Sequence, residues 1–253
     1  LAVQEYGPED AELKVIALHG WMDNAATWEA FVPLLLEAVS PKRIRIVCLE
    51  FPGHGHSDHL PQGVQYNFVD YVAEVLALAD HLRWESFVLL AHSMGAAVSP
   101  LLAASFPEKV QAMVLVEGFG PWSVPASSGP AAIKRYIETA HTLSNRPPNT
   151  YATFEDAINR LSANNPSLAP SSVRSLVTRG TKQVEGGWQF RHDVRHRVAS
   201  PIRMTEEQVE AFITAVQCKS LVFVGTVGDQ FFGRAWEKRK STVKHLTEVQ
   251  LEG

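Results

Sequence analysis

Phe87-Val88-Leu89-Leu90-Ala91-His92-Ser93-Met94-Gly95-Ala96-Ala97 is the stretch on which the fold turns. Its first four residues form a continuous apolar run, as expected of a strand buried on both faces. Its last residues are small, and a helical pattern continues through Leu101, Leu102 and Ala103 to Phe106. Between strand and helix stands small-x-Ser-x-Gly. A serine at the apex of so sharp a turn carries strained backbone, and only small flanking residues, here Ala91 and Gly95, let strand and helix approach. The helix that follows aims its first N–H groups and its positive end at the reacting centre. Ser93 is therefore the candidate nucleophile. A buried serine that merely caps a helix would account for the residue but not for its two flanks.

Outward from this turn, short apolar runs alternate with helical patterns. Strands are expected at Leu13–His19, Ile44–Leu49, Phe87–Leu90, Ala112–Val116, Leu221–Val224 and Thr247–Leu251. Helices are expected at Ala26–Ala38, Phe68–Leu82, Met94–Phe106 and Thr205–Val216, the second with Val72, Val75, Leu76 and Ala79 on one face. Strands joined by helices imply an α/β fold with a mostly parallel sheet covered on both faces. From Gly118 to about Pro201 the rhythm breaks into a proline-rich stretch with helical pieces at Ala131–Leu143, Thr153–Ser162 and Ser171–Thr178, and no strand run. It reads as an inserted helical cap. The expected division is a core of residues 1–118 and 205–253 and a cap of residues 119–204.

The 253 residues are 45% hydrophobic and 20% charged, with a formal net charge of −4. That is an ordinary globular composition, without the basic excess that nucleic acid would attract. No apolar stretch approaches the length of a membrane span, and Leu1-Ala2-Val3-Gln4-Glu5-Tyr6 reads as strand rather than as a leader. The front end is expected to be trimmed. Cys48 and Cys218, the only cysteines, fall in or beside apolar runs. Reduced core cysteines fit an intracellular, cytoplasmic setting.

His19-Gly20-Trp21 follows the strand Leu13–Leu18. A tetrahedral intermediate needs two backbone N–H donors aimed at its oxygen. Met94 and Trp21 are the expected pair. Three blocks now stand together: His19-Gly20-Trp21-Met22-Asp23-Asn24, Phe51-Pro52-Gly53-His54-Gly55-His56-Ser57-Asp58 and Ala91-His92-Ser93-Met94-Gly95-Ala96. They resemble the signature blocks of α/β-hydrolases, and more narrowly the serine hydrolase-like proteins related to epoxide hydrolases and haloalkane dehalogenases. Arg191-His192-Asp193 through Met204-Thr205-Glu206-Glu207 resembles that group's cap and the helix that returns to the core. Those two enzyme groups use an aspartate at the elbow. Serine at this position implies ester or related acyl chemistry, with an apolar small-molecule ester as substrate and no cofactor or metal.

One motif points elsewhere. His54, His56, Asp58 and His59 match His-x-His-x-Asp-His, the ligand spacing of metallo-β-lactamases, and so raise a zinc metallohydrolase as a rival. The same residues fit the Pro-Gly-His-Gly-x-Ser-Asp loop of the resembled family, with the glycines serving the turn.

A serine needs a base, and the base an orienting acid. In this fold their order is Ser, then acid, then His. Asp229 follows the strand Leu221–Val224 and is the first choice of acid; Glu117, at the end of Ala112–Val116, is the alternative. The histidine is expected just after Thr247–Leu251, and the sequence ends at Gly253 without one. His245 precedes that strand, His92 lies in the elbow, and His192 and His196 fall in the cap. The expectation is either a catalytic histidine beyond Gly253 or an α/β-hydrolase-fold binding protein with impaired catalysis. Phe119, Trp122, Trp188 and Phe190 are candidates for a pocket wall or, equally, for cap core.

Overall fold

The computed structural model describes residues 1–143, 146–226 and 229–252, and for 229–235 the backbone alone. In chain order the elements begin with β1 (Ala2–Tyr6), β2 (Leu13–Leu18), α1 (Phe31–Ala38), β3 (Ile44–Glu50) and α2 (Asp70–His81). Then come β4 (Phe87–His92), α3 (Met94–Ser105), β5 (Val110–Val116), α4 (Gly129–Leu143) and β6 (Thr150–Tyr151). They continue with α5 (Phe154–Asn164), α6 (Pro170–Gly180), β7 (Thr181–Val184) and β8 (Gly187–Phe190). The chain closes with α7 (Glu206–Ala215), β9 (Lys219–Gly225), α8 (Asp229–Thr242) and β10 (Leu246–Leu251).

Seven strands form one sheet in the order β1-β3-β2-β4-β5-β9-β10. Every neighbouring pair is parallel except β1 with β3. The order reverses at β2 and β4, so their carboxyl ends flank the crevice in which doubly wound sheets bind ligands. The apolar runs explain why these strands are central. Ile16, Leu18, Val47, Leu49, Leu89, Ala91 and Leu115 are fully buried, packed with α2, α3 and α7 on one face of the sheet. Val15, Ala17, Ile46, Cys48 and Leu90 face the other side against Trp28 and Val32. No helix among the described residues is long and apolar enough to cross a membrane.

Two local expectations change. The expected helix Ala26–Ala38 splits into a 3-10 turn, Ala25–Trp28, capped by Asn24, and then α1. The segment between β5 and α7 is not helical alone, because β6, β8 and β7 form a three-stranded antiparallel sheet. Its strands are two to four residues long and half exposed, too short to leave an alternating pattern.

Charged clamps tie that segment to the sheet and to the loop after β3, and join α8 to α7. Glu50, at the end of β3, is fully buried. It receives Arg179 of α6 on both oxygens, Nε at 2.7 Å and Nη2 at 3.1 Å. The same carboxylate accepts the Ala25 N–H at 3.1 Å and the His56 N–H at 2.8 Å. Gly55, at φ +51°, passes so close that a Cβ there would fall on the Glu50 carboxyl. Arg195 reaches the carbonyls of Leu60, Pro61 and Val64 while paired with Asp193 at 2.6 Å. Arg239 of α8 grips Glu206 of α7 through two hydrogen bonds of 2.8 and 2.7 Å.

Candidate active site

Ser93 joins β4 to α3 at φ +48° and ψ −106°, a conformation that costs a non-glycine residue on the order of 1–3 kcal/mol. The surroundings hold it there. Its N–H donates to Val116 O at 2.9 Å, and its carbonyl accepts from Ala97 N at 2.9 Å. The Gly95 N–H donates to His19 O at 3.1 Å, which seats the start of α3 against the end of β2. A Cβ on Gly95 would stand 2.6 Å from Leu18 Cβ and 2.8 Å from Leu18 O. The small residue thus serves an approach to the neighbouring strand β2, and not only the turn out of β4. Gly118 does the same from the other side, where a Cβ would meet Ala96 Cβ at 2.8 Å.

Met94 opens α3, in the first turn, where N–H groups lack intrahelical acceptors. Trp21 lies two residues past His19, whose carbonyl holds Gly95, so the two expected donors belong to segments bonded to each other. Trp21 sits in a turn closed by Asp23 N to Gly20 O at 3.1 Å, with Met22 at φ +63°. Trp21 is 54% exposed.

Glu117 directly follows β5 at φ +55°, and its Oε1 accepts the Gly225 N–H. Its own N–H donates to Phe223 O at 3.0 Å, so the carboxylate lies where β5 and β9 end together. The Asp229 side chain lies outside the described residues, as do Val227 and Gly228. β10 runs parallel to β9, which brings Leu251 level with Gly225 on the edge that carries Ser93. His245 is at the opposite edge, its carbonyl bonded to Ser220 N near the start of β9.

The loop after β3 does not gather its histidines and aspartate. His56, Asp58 and His59 are exposed, and His54 is buried. Among the described residues no group of three His, Cys, Asp or Glu side chains is placed to hold a metal. His54 instead belongs to a column of rings. His19 and His54 lie 4.9 Å apart, His54 and His196 4.0 Å, and His196 and Tyr66 3.9 Å. Tyr66 donates to Asp193 at 2.9 Å, so the column links the core to the segment between β5 and α7. His196 is therefore a packing residue between those layers. No periodicity could have revealed the column, because its rings come from three distant segments.

These imidazoles are neutral. His19 Nε2 lies 3.1 Å from Phe51 N, whose N–H it accepts, which leaves Nδ1–H to donate to Gly20 O at 2.7 Å. Burial pushes His19, His192 and His196 down to about 4, and His54 well below its ordinary value. Below about pH 6.5 the unfolded chain binds protons that the folded chain refuses until about pH 4. Their contribution is complete above pH 6.5 and is lost as the pH falls toward 4. Asp23 works in the opposite sense, because burial raises it to about 6. With at least two protons taken up net, stability should fall by about 3 kcal/mol per pH unit near pH 5. Urea unfolding at pH 7.5, 6 and 5 measures this slope, and a flat profile over that range would contradict neutral burial.

A family model described as alpha/beta hydrolase fold matches residues 15–150. Over its whole length the chain is 32% identical to a serine hydrolase-like protein of Dictyostelium discoideum, 72% of which it covers. It is also 32% identical to a serine hydrolase-like protein of Danio rerio, over 99% of this chain and 78% of that one. The crystal structure of a hypothetical protein from Pseudomonas aeruginosa superposes with a TM-score of 0.91 at 32% identity, over 99% of this chain and 86% of that one.

Proposed function

The chain belongs to the α/β-hydrolase-fold family, among its serine hydrolase-like proteins, and from that we propose that Ser93 is the nucleophile of a serine hydrolase acting on an ester or related acyl substrate. The observation that carries the reading is the strained Ser93 backbone, held between the end of β4 and the first turn of α3. Strain of that kind persists only where the surroundings over-determine it, and it clusters at reacting groups.

In this reading Ser93 Oγ attacks the acyl carbon and passes its proton to a histidine. The N–H groups of Trp21 and Met94 hold the oxyanion. The alcohol leaves with the histidine's proton, and water then repeats the sequence on the acyl-enzyme to release the acid. Asp229 remains the first choice of orienting acid by its place after β9, with Glu117 the alternative by its place at the end of β5. The histidine is assigned to chain following β10, whose carboxyl end meets the edge of the sheet that bears Ser93. Residues 119–204 act as a cap over the core of 1–118 and 205–253, excluding water from an apolar acyl group.

A second reading, a binding protein of the same fold with impaired catalysis, draws on one observation. Three histidines of the segments that pack beside the elbow are engaged elsewhere: His19 in backbone hydrogen bonds, His54 and His196 in the ring column. An alkyl fluorophosphonate separates the two readings. The full-length protein should label stoichiometrically, and Ser93→Ala should abolish labelling. Absent labelling, or labelling that survives the substitution, would defeat the hydrolase reading.

A further inference from the structure

Two titratable side chains beside the elbow have no part in the reaction steps above. His92 immediately precedes Ser93, and its Nδ1 is buried without a hydrogen-bond partner among the described residues. Asp23 closes the turn that contains Trp21. Among the described residues its carboxyl has one weak donor, Thr27 Oγ1 at 3.5 Å. The two face each other across the backbone of Gly20, where a Cβ would stand 2.8 Å from His92 Nδ1 and 2.9 Å from Asp23 Oδ2. Nδ1 and Oδ2 are 3.7 Å apart. That gap is less than 1 Å beyond a hydrogen bond, and the soft terminal torsion of an aspartate can close it.

No other described partner competes for the ring. His19, the neighbouring imidazole, already uses both nitrogens, on Gly20 O and Phe51 N. The turn also needs a brace. Met22 sits at φ +63°, strained for a residue with a side chain, and Trp21 is more than half exposed.

We infer that Asp23 is a positioning residue: its carboxyl and His92 Nδ1 bond across Gly20 and latch the turn carrying the Trp21 N–H onto the nucleophile elbow. The inference rests on Ser93 as nucleophile and Trp21 as oxyanion donor. The bond requires the Nδ1–H tautomer of neutral His92, with the carboxylate accepting. No proton leaves the pair during the reaction. Burial lowers the basicity of His92 and raises Asp23 to about 6, so at pH 7.5 the ring is neutral and the carboxylate ionised, as the bond requires.

The test uses the full-length protein at pH 7.5 and two readouts. Nitrogen-15 histidine NMR, with His92 assigned by the signal missing from His92→Gln, should show the proton on Nδ1. Phosphonylation of Ser93 by an alkyl fluorophosphonate should lose about 10- to 100-fold in its limiting rate in Asp23→Ala, with the probe's binding constant within about two-fold, the signature of a misplaced oxyanion donor. Asp23→Asn keeps an acceptor for Nδ1–H and should restore the rate to within about three-fold of wild type. A proton on Nε2 in the wild type, or an Asp23→Ala rate within two-fold of wild type, overturns the latch. If the wild type does not label at Ser93, the hydrolase reading fails, and the tautomer alone then decides whether the latch exists.

Discussion

Replacing Arg179 by alanine is expected to cost about 3–5 kcal/mol of folding stability, the loss that follows removal of one partner from a buried ion pair. For a chain of this size that is a fall in melting temperature of about 10 °C. Glu50 is wholly buried, whereas the Arg179 side chain keeps 23% of its surface. Without the guanidinium the carboxylate cannot rehydrate, and the remaining Ala25 and His56 N–H donors carry no full charge to offset it. Arg179→Lys should recover only part of the loss, because an ammonium cannot span both oxygens as the guanidinium does. The pair also fixes α6 on the end of β3, so the variant should expose the junction to limited proteolysis before the sheet itself unfolds. Denaturant unfolding measures the effect, and a loss below about 1 kcal/mol would mean that the pair adds nothing beyond a surface contact.

Gly95→Ala should damage the site more than its single methyl suggests. The added Cβ would stand 2.6 Å from Leu18 Cβ, 2.8 Å from its carbonyl oxygen and 2.9 Å from its carbonyl carbon. Two of these are backbone atoms of a central strand, so no side-chain rotation relieves them. Either α3 or β2 must move by several tenths of an ångström. That shift separates Met94 from the Trp21 turn, since the bond from Gly95 N to His19 O joins them. Overpacking of this kind costs about 1–3 kcal/mol, and a misplacement approaching 1 Å costs about 100-fold in rate. Ser93 labelling should therefore fall about 100-fold in a protein that still folds. Gly129→Ala is the control: nothing lies within 4 Å of its Cβ, and labelling should be unchanged. Equal labelling rates for Gly95→Ala and wild type would show that the approach of α3 to β2 does not set the reactivity of Ser93.

The core strands, the elbow and the loops that meet there are legible along the chain. Phe87–Leu90 announces a strand buried on both sides, and Ala91, Ser93 and Gly95 announce the turn that follows, because these signals rest on neighbours a few residues apart. The place of Glu117 at the end of a strand was legible for the same reason. Which charges meet is set by the packing of distant segments. Arg179 finds Glu50 across 129 residues, and no local pattern encodes that pairing. The sequence likewise presented His54, His56, Asp58 and His59 as a cluster, yet the turn at Gly53 and Gly55 buries the first ring in an aromatic column and leaves the others in solvent. Asp23 and His92 lie far apart in the chain and face each other only because β2 and β4 are neighbours in the sheet and Gly20 has no side chain to keep them apart. Periodicity and turn chemistry act over a few residues and are written along the chain. The pairing of polar side chains depends on which distant segments the hydrophobic core brings together, and that is settled only when the layers pack.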